Sequence, residues 1–361
     1  MRGHEQTDGK IISVNKRADY NLEPEQNPVC LDRLGRLRLW TGNVLPEPLT
    51  GLEVASADAS FRRYFRASTA SGSYIVMDAP PEHEDCRPYV HVARLFRAAG
   101  ANTPEILAED LAEGFLLLSD FGNTTYLMAL NDASADALYR DANAELVKIQ
   151  VASRPGELPD YDEALLRREL MLFPDWYLAR HLNIELDARQ KAVVDTTFAA
   201  ILANNLAQPK VYVHRDWHSR NLMVTETDNP GVLDFQDAVY GPITYDLVSI
   251  YKDAYIAWDE DRVIDWVVRY WEAARKAGLP VHADFADFYR DFEWMGIQRH
   301  IKVLGIFARL YHRDGKAGYL KDMPLVMHYL RRACERYNAL RPFLRLLDEL
   351  AGRQADVGFT F

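Results

Sequence analysis

The sequence predicts an α+β protein of two lobes, a small β-rich N-lobe followed by a large, mainly helical C-lobe. Three observations carry this. Residues 52–118 show period-two patterning broken by turn residues, with one helical stretch inside them. From residue 122 onward the apolar period is mostly that of helices, interrupted once by a second β-like stretch at 210–237. A chain of 361 residues is long enough to bury more than one core. The expected division is an N-terminal extension over 1–35, an N-lobe over 36–121 and a C-lobe over 122–361.

Taken in order, residues 1–35 are polar and without a clear period, which is why they read as an extension. Residues 36–41 close a short helix ahead of Pro46 and Pro48. Residues 61–67 alternate as a strand, with Phe61, Arg63 and Phe65 on one face and Arg62, Tyr64 and Arg66 on the other. The small residues before it, 56–60, suit either a loop lying close over phosphates or a simple polar turn. A turn at 68–72 leads into a strand at 74–77. Residues 88–99 put Val90, Ala93, Leu95 and Phe96 on one helical side, and Gly100 is a stop signal. Two strands flank a turn at 109–114 within 103–118, and Asp120-Phe121-Gly122 links the lobes. Helices are expected at 135–151, 163–182, 187–207, 259–277, 324–337 and 342–350, with Asp259 as an N-cap, and 284–312 is long enough for one or two more.

Composition narrows the function. Apolar residues make up 48% and the formal net charge is -11, which fits a globular protein and disfavours a general nucleic-acid binder. Cys30, Cys86 and Cys334 are far apart and form no CxxC pair. No apolar run approaches membrane-spanning length, and residues 1–21 hold no apolar signal segment. A cytoplasmic protein without a membrane partner is expected; the oligomeric state stays open.

The chemistry sits in 210–237. An apolar run ends in His214-Arg215-Asp216-Trp217-His218-Ser219-Arg220-Asn221, a second apolar run follows, and a third closes on Leu233-Asp234-Phe235. The spacing H-x-D-x-x-x-x-N is that of a kinase catalytic loop. Phosphoryl transfer needs a group to orient and deprotonate the attacking hydroxyl, and hard oxygen ligands for magnesium. Asp216 suits the first role, and Asn221 with Asp234 the second. His214 is expected to orient the loop, and Asp246 to cap a helix or pair with the loop. Asp237 either faces substrate or braces the loop. Asp120-Phe121-Gly122 looks like a kinase metal motif but precedes the catalytic loop, so it is read as linker.

These residues resemble the aminoglycoside phosphotransferase family, whose fold is protein-kinase-like. The resemblance spans roughly 52–310 and implies ATP and Mg2+ as cofactors and a small-molecule acceptor. The segments at 56–66, 76–87, 231–242 and 298–309 are further similar to the anomeric kinases of N-acetylmuramate and N-acetylglucosamine. That branch implies phosphorylation of an amino sugar at C1, in recycling of peptidoglycan sugars. One departure stands out. The family's third strand usually carries a Lys or Arg that holds ATP phosphates, but here it reads Val76-Met77-Asp78-Ala79. Either Arg62, Arg63 or Arg66 takes over from the neighbouring strand beside Ser60, or backbone amides and magnesium suffice; guanidinium bidentate geometry favours an arginine.

Two features point to the acceptor. Arg299, Lys302, Arg309 and Arg313 share one helical side, a basic stripe able to hold a sugar's lactyl carboxylate, or else a solvated face. Arg299 or His300 is expected to contact substrate. Trp176 is a candidate to pack on a sugar ring, against the alternative of a core residue. The competing functions are another kinase of this family, acting on an aminoglycoside or an amino alcohol, and a catalytically silent nucleotide-binding module.

Overall fold

A computed structural model describes residues 32–57 and 61–357. The expected extension over 1–31 and the candidate Ser60 lie outside the described residues.

The N-lobe is an antiparallel five-stranded sheet with a helix on each face. Its strands are β1 (Gly51–Ala57), β2 (Arg63–Ser68), β3 (Ser73–Asp78), β4 (Ile106–Asp110) and β5 (Phe115–Ser119), in the order β1-β2-β3-β5-β4. Alternation decides which face each side chain meets. Phe65, Ala67, Val76, Phe115 and Leu117 bury one face against Leu37 and Leu45 around α1 (Arg33–Val44). Met77, Leu116 and Leu118 turn to the other face, where α2 (Arg87–Ala98) joins the main core through Val90 and Phe96. Helix α1 starts at Arg33, with Asp32 accepting the Gly35 N–H at 2.8 Å, so the helix is longer than the expected one and crosses the boundary placed at residue 35. Strand β2 starts at Arg63 rather than Phe61. Phe61 is 62% exposed and stacks on His83 instead.

The C-lobe is helical: α3 (Tyr126–Ala129), α4 (Ala135–Val151), α5 (Glu163–Leu172), a π-helical segment (Phe173–His181) and α6 (Ala188–Leu206). Side-chain oxygens of Thr125, Asp162 and Asp187 cap α3, α5 and α6, which is why those helices begin where they do. Two short ribbons follow, β6 (Lys210–Val213) with β9 (Val239–Pro242), and β7 (Leu222–Met223) with β8 (Gly231–Val232). Helices α7 (Tyr245–Tyr251), α8 (Glu260–Lys276), α9 (Phe285–Asp314), α10 (Met323–Arg336) and α11 (Arg341–Val357) complete the chain. Asp259 occupies the N-cap of α8, yet its side chain makes no capping bond.

The central helix α9 is one 30-residue element, buried along most of its length. Its approach to α5 depends on Gly305: a Cβ there would meet the Leu172 backbone carbonyl carbon at 2.4 Å. Between the lobes, Arg66 of β2 donates to Asp120, to the Asn123 side chain at 2.6 Å and to the Gly122 carbonyl at 3.0 Å, and Ser73 adds a bond to Asp120 at 2.7 Å. The linker is thereby tied to the sheet.

Candidate active site

The lobes enclose a cavity of about 780 Å³. Its floor is the loop between β6 and β7. His214 is fully buried at the head of that loop. The Asp216 backbone N–H donates to His214 Nδ1 at 3.2 Å, and Nε2 lies 2.9 Å from the Leu233 carbonyl, so the proton belongs on Nε2 of a neutral ring. Burial pushes this imidazole down to about 4. Asp246, at the start of α7, accepts the backbone N–H groups of His214 at 2.7 Å and Arg215 at 3.0 Å. It therefore pairs with the loop, the second of its two expected placements. Arg215 holds a positive φ of 75°, uncommon for a residue with a Cβ, and is clamped by the Glu169 carboxylate and the Asp237 carbonyl.

Asp216 lines the cavity between these supports. Burial pushes its carboxyl up, but Lys302, His218, Arg215 and Arg299 outweigh this and hold it below the usual carboxylate range. It is the ionised acceptor a general base must be. Asn221 Nδ2 donates to the Asp216 carbonyl at 3.0 Å and to Asp234 Oδ2 at 3.2 Å. Asp234 also has a positive φ, 62°, and takes a bond from Gln236 Nε2 at 2.7 Å. Gln236 Oε1 is buried without a hydrogen-bond partner. The oxygens gathered here, one carboxylate and two amides, suit magnesium, which takes few protein ligands and completes its shell with phosphate and water. Among the described residues no cluster of three or more His, Cys, Asp or Glu side chains is placed to hold a metal ion.

One end of the cavity is apolar, with Ile75, Leu118, Met223 and Leu233 beside the linker segment 119–123. Arg62 lies on the wall near Glu84, 3.9 Å away, and feels the charges of Asp234 and Asp237. Of the three arginines weighed for phosphate binding, Arg66 reaches the wall but is held by the linker, and Arg63 does not line the cavity. Arg63 belongs to the α1 face of the sheet, where it and Arg33 both bind the fully buried Asp78.

The other end is walled by α9. Arg299, Lys302, Arg309 and Arg313 all line it, the first two buried, Arg309 half-buried and Arg313 exposed at the mouth, so the inner part of the basic stripe faces the cavity. Arg299 Nε donates to Ser249 Oγ at 2.7 Å, and Lys302 binds Glu169 at 2.9 Å and Tyr245 Oη at 2.8 Å. Together the catalytic loop and α9 contribute to the wall five cations, Arg220, Arg299, Lys302, Arg309 and Arg313, against one acid, Asp216.

Two expected substrate contacts are corrected. His300 is one residue off the stripe and turns inward: it is buried, 3.3 Å from the Lys252 carbonyl and stacked on Tyr329. Trp176 lies in the π-helical segment, packed against the C-lobe core and away from the cavity wall. Asp237 does line the cavity, and its carbonyl braces Arg215. Glu169, His218 and Gln236 were not anticipated. His218 and Gln236 carry a local signal, being two residues from Asp216 and Asp234. Glu169 carries none, since the partners that give it meaning are distant in sequence.

A β-rich lobe over a helical one, with Asp216, Asn221 and Asp234 on the wall of the cleft between, is the architecture of a phosphotransferase of protein-kinase-like fold that uses an alcohol acceptor. The chain belongs to the phosphotransferase enzyme family, whose model matches residues 51–287. It is 50% identical over 337 residues to the N-acetylmuramate/N-acetylglucosamine kinase of Neisseria meningitidis serogroup B, covering 92% of this chain and 100% of that protein. It is 51% identical over 332 residues to the protein of the same name from Pseudomonas aeruginosa, covering 88% and 96%. Among solved structures, spectinomycin phosphotransferase APH(9)-Ia with ADP and spectinomycin is similar in fold, with a TM-score of 0.59 at 13% identity over 81% of this chain and 93% of that one. A choline/ethanolamine kinase family protein from Mesorhizobium loti has a TM-score of 0.59 at 16% identity, over 87% and 99%.

Proposed function

We propose that the chain transfers the γ-phosphoryl group of ATP to the anomeric C1 hydroxyl of N-acetylmuramate, N-acetylglucosamine or both. One observation carries the reaction type: the Asn221 amide bridges the Asp216 backbone carbonyl and the Asp234 carboxylate, so the loop that carries the base is tied to the metal-binding carboxylate through a single side chain. The acceptor rests on the relatives' names and on the cation-rich wall, which suits an anionic or neutral sugar and disfavours a polycationic aminoglycoside.

In this reading Asp216 accepts a hydrogen bond from the C1 hydroxyl and aims its oxygen at the γ-phosphorus. The oxygen–phosphorus bond forms as the bond to the β,γ-bridging oxygen breaks, ADP leaves with that electron pair, and the hydroxyl proton passes late to Asp216. The ring oxygen makes a hemiacetal hydroxyl more acidic than an ordinary alcohol, so an ionised carboxylate with a low pKa is base enough. Asn221 and Asp234 would hold magnesium, with Gln236 Oε1 beside them. Bound magnesium neutralises charge on the phosphate oxygens. Arg62 takes the place of the absent third-strand cation. The sugar phosphate would serve recycling of peptidoglycan sugars in the cytoplasm; among the described residues no helix is long and apolar enough to cross a membrane.

The test is incubation with ATP, magnesium and a panel of amino sugars, aminoglycosides and amino alcohols, with NMR locating the phosphate. Phosphorus coupled to the anomeric proton is expected. Phosphate at C6, or transfer only to an aminoglycoside or amino alcohol, would overturn the acceptor assignment; bound ATP with no transfer at all would favour a silent nucleotide-binding module.

A further inference from the structure

The three inner cations of the α9 wall are not equivalent. Arg299 and Lys302 flank Asp216 and already have partners, Ser249 for the first, Glu169 and Tyr245 for the second. Arg309 differs. Its Nε is buried without a hydrogen-bond partner, while the nearby Asp314 carboxylate is taken by Arg313 at 2.7 Å. Burial and the Arg313 charge push the Arg309 guanidinium below its ordinary value, and Asp314, held by Arg313, only partly offsets them. A partly buried guanidinium that faces a ligand cavity in this state is completed by an anion from the ligand.

Position says which anion. Arg309 is seven residues beyond Lys302, two turns along the same helix and a rise of about 10 Å. That is about one sugar ring and one short arm from the hydroxyl that Asp216 would orient. The nucleotide phosphates belong at the opposite side, with Arg62, Asn221 and Asp234. Ile306 and Leu310 line the wall beside Arg309 and offer an apolar surface. N-acetylmuramate differs from N-acetylglucosamine by one ether arm on C3, which carries a methyl group and a carboxylate.

We infer that Arg309, flanked by Ile306 and Leu310, is the subsite that reads the lactyl carboxylate of the acceptor and so sets the preference for the acidic sugar over the neutral one. This rests on the amino-sugar reading above. Arg313 adds positive potential at the cavity mouth without contacting the arm.

The experiment measures kcat/KM for N-acetylmuramate, its lactyl carboxamide and N-acetylglucosamine, in the natural protein and in Arg309→Gln and Arg309→Lys. The natural protein should favour the acid over the carboxamide by about tenfold to a hundredfold, the range for a charge-assisted hydrogen bond. In Arg309→Gln that ratio should collapse to near one, with Arg309→Lys in between. An acid-to-carboxamide ratio near one in the natural protein overturns the inference whether or not any variant folds. An unchanged ratio in a folded Arg309→Gln overturns it as well, and so does a rise in the KM for ATP that accounts for the whole effect. If the natural protein phosphorylates none of the three sugars, it is the amino-sugar reading that has failed, which is a different outcome.

Discussion

Asp246 receives the backbone N–H of His214 at 2.7 Å while lying fully out of water, and its second oxygen takes the N–H of Arg215. The loop bearing Asp216 thus hangs from the first turn of α7. Asp246→Ala strands two buried donors, at about 1–3 kcal/mol each. We expect a stability loss of about 2–5 kcal/mol together with a fall in kcat, and roughly half the loss for Asp246→Asn, which keeps one acceptor oxygen. Denaturant titration and kinetics on the same preparations check this; an alanine variant as stable as the natural protein would refute the account.

Stability should also carry a signature of His214. Burial holds its imidazole at about 4, against an ordinary 6.5. As pH falls, the unfolded chain takes up this proton first, so the contribution is intact above about 6.5 and is lost on the way down to about 4, amounting to about 3 kcal/mol. Asp246 has the opposite sign. Burial raises its carboxyl to about 7 despite its two N–H bonds, so the folded state keeps a proton the unfolded chain has released, and that contribution fades as pH rises toward 7. His214→Gln removes the first dependence and leaves the second. Urea midpoints between pH 4 and 7 should therefore fall less steeply toward acid in the variant.

Asp216→Asn should cut kcat by about a hundredfold to ten-thousandfold, the usual span for losing a general base. Its affinity for a fluorescent ATP analogue should change little, because the nucleotide end of the cavity is lined by other residues. A loss of nucleotide binding equal to the loss of rate would mean that Asp216 acts on the phosphates instead.

The three arginines of β2 and its approach should separate cleanly. Arg62→Ala raises the KM for ATP. Arg63→Ala leaves that KM alone and costs about 1 kcal/mol, since Arg63 is half exposed and Arg33 still holds Asp78. Arg66→Ala frees the linker at Asp120 and Asn123, and should appear as faster amide exchange over 119–123. Unchanged ATP kinetics in Arg62→Ala would send the phosphate-binding role to backbone amides.

The sequence made Asp216, Asn221 and Asp234 legible because they sit within twenty residues of one another, and short strands fix how such a segment folds back. The stripe from Arg299 to Arg313 was legible through the helical period. That period could not say which neighbour of a buried stripe turns into the core, so His300 was misplaced by one step around α9. Trp176 failed for a related reason: an aromatic residue on a buried helix looks the same whether its face meets packed side chains or a ligand. Arg63 needed knowledge of β3, since only pairing across the sheet reveals Asp78 as its partner. Glu169 needed the whole fold, because Arg215 and Lys302 reach it from distant segments.

Gly305 touches no part of the cavity, yet it sets where the α9 wall stands. A side chain there would meet the Leu172 backbone and displace α9, carrying Arg299, Lys302 and Arg309 with it as a unit. Acceptor preference can therefore drift in evolution through substitutions on the dry side of this helix, and a comparison of cavity-lining residues between two such proteins would find no difference to explain it.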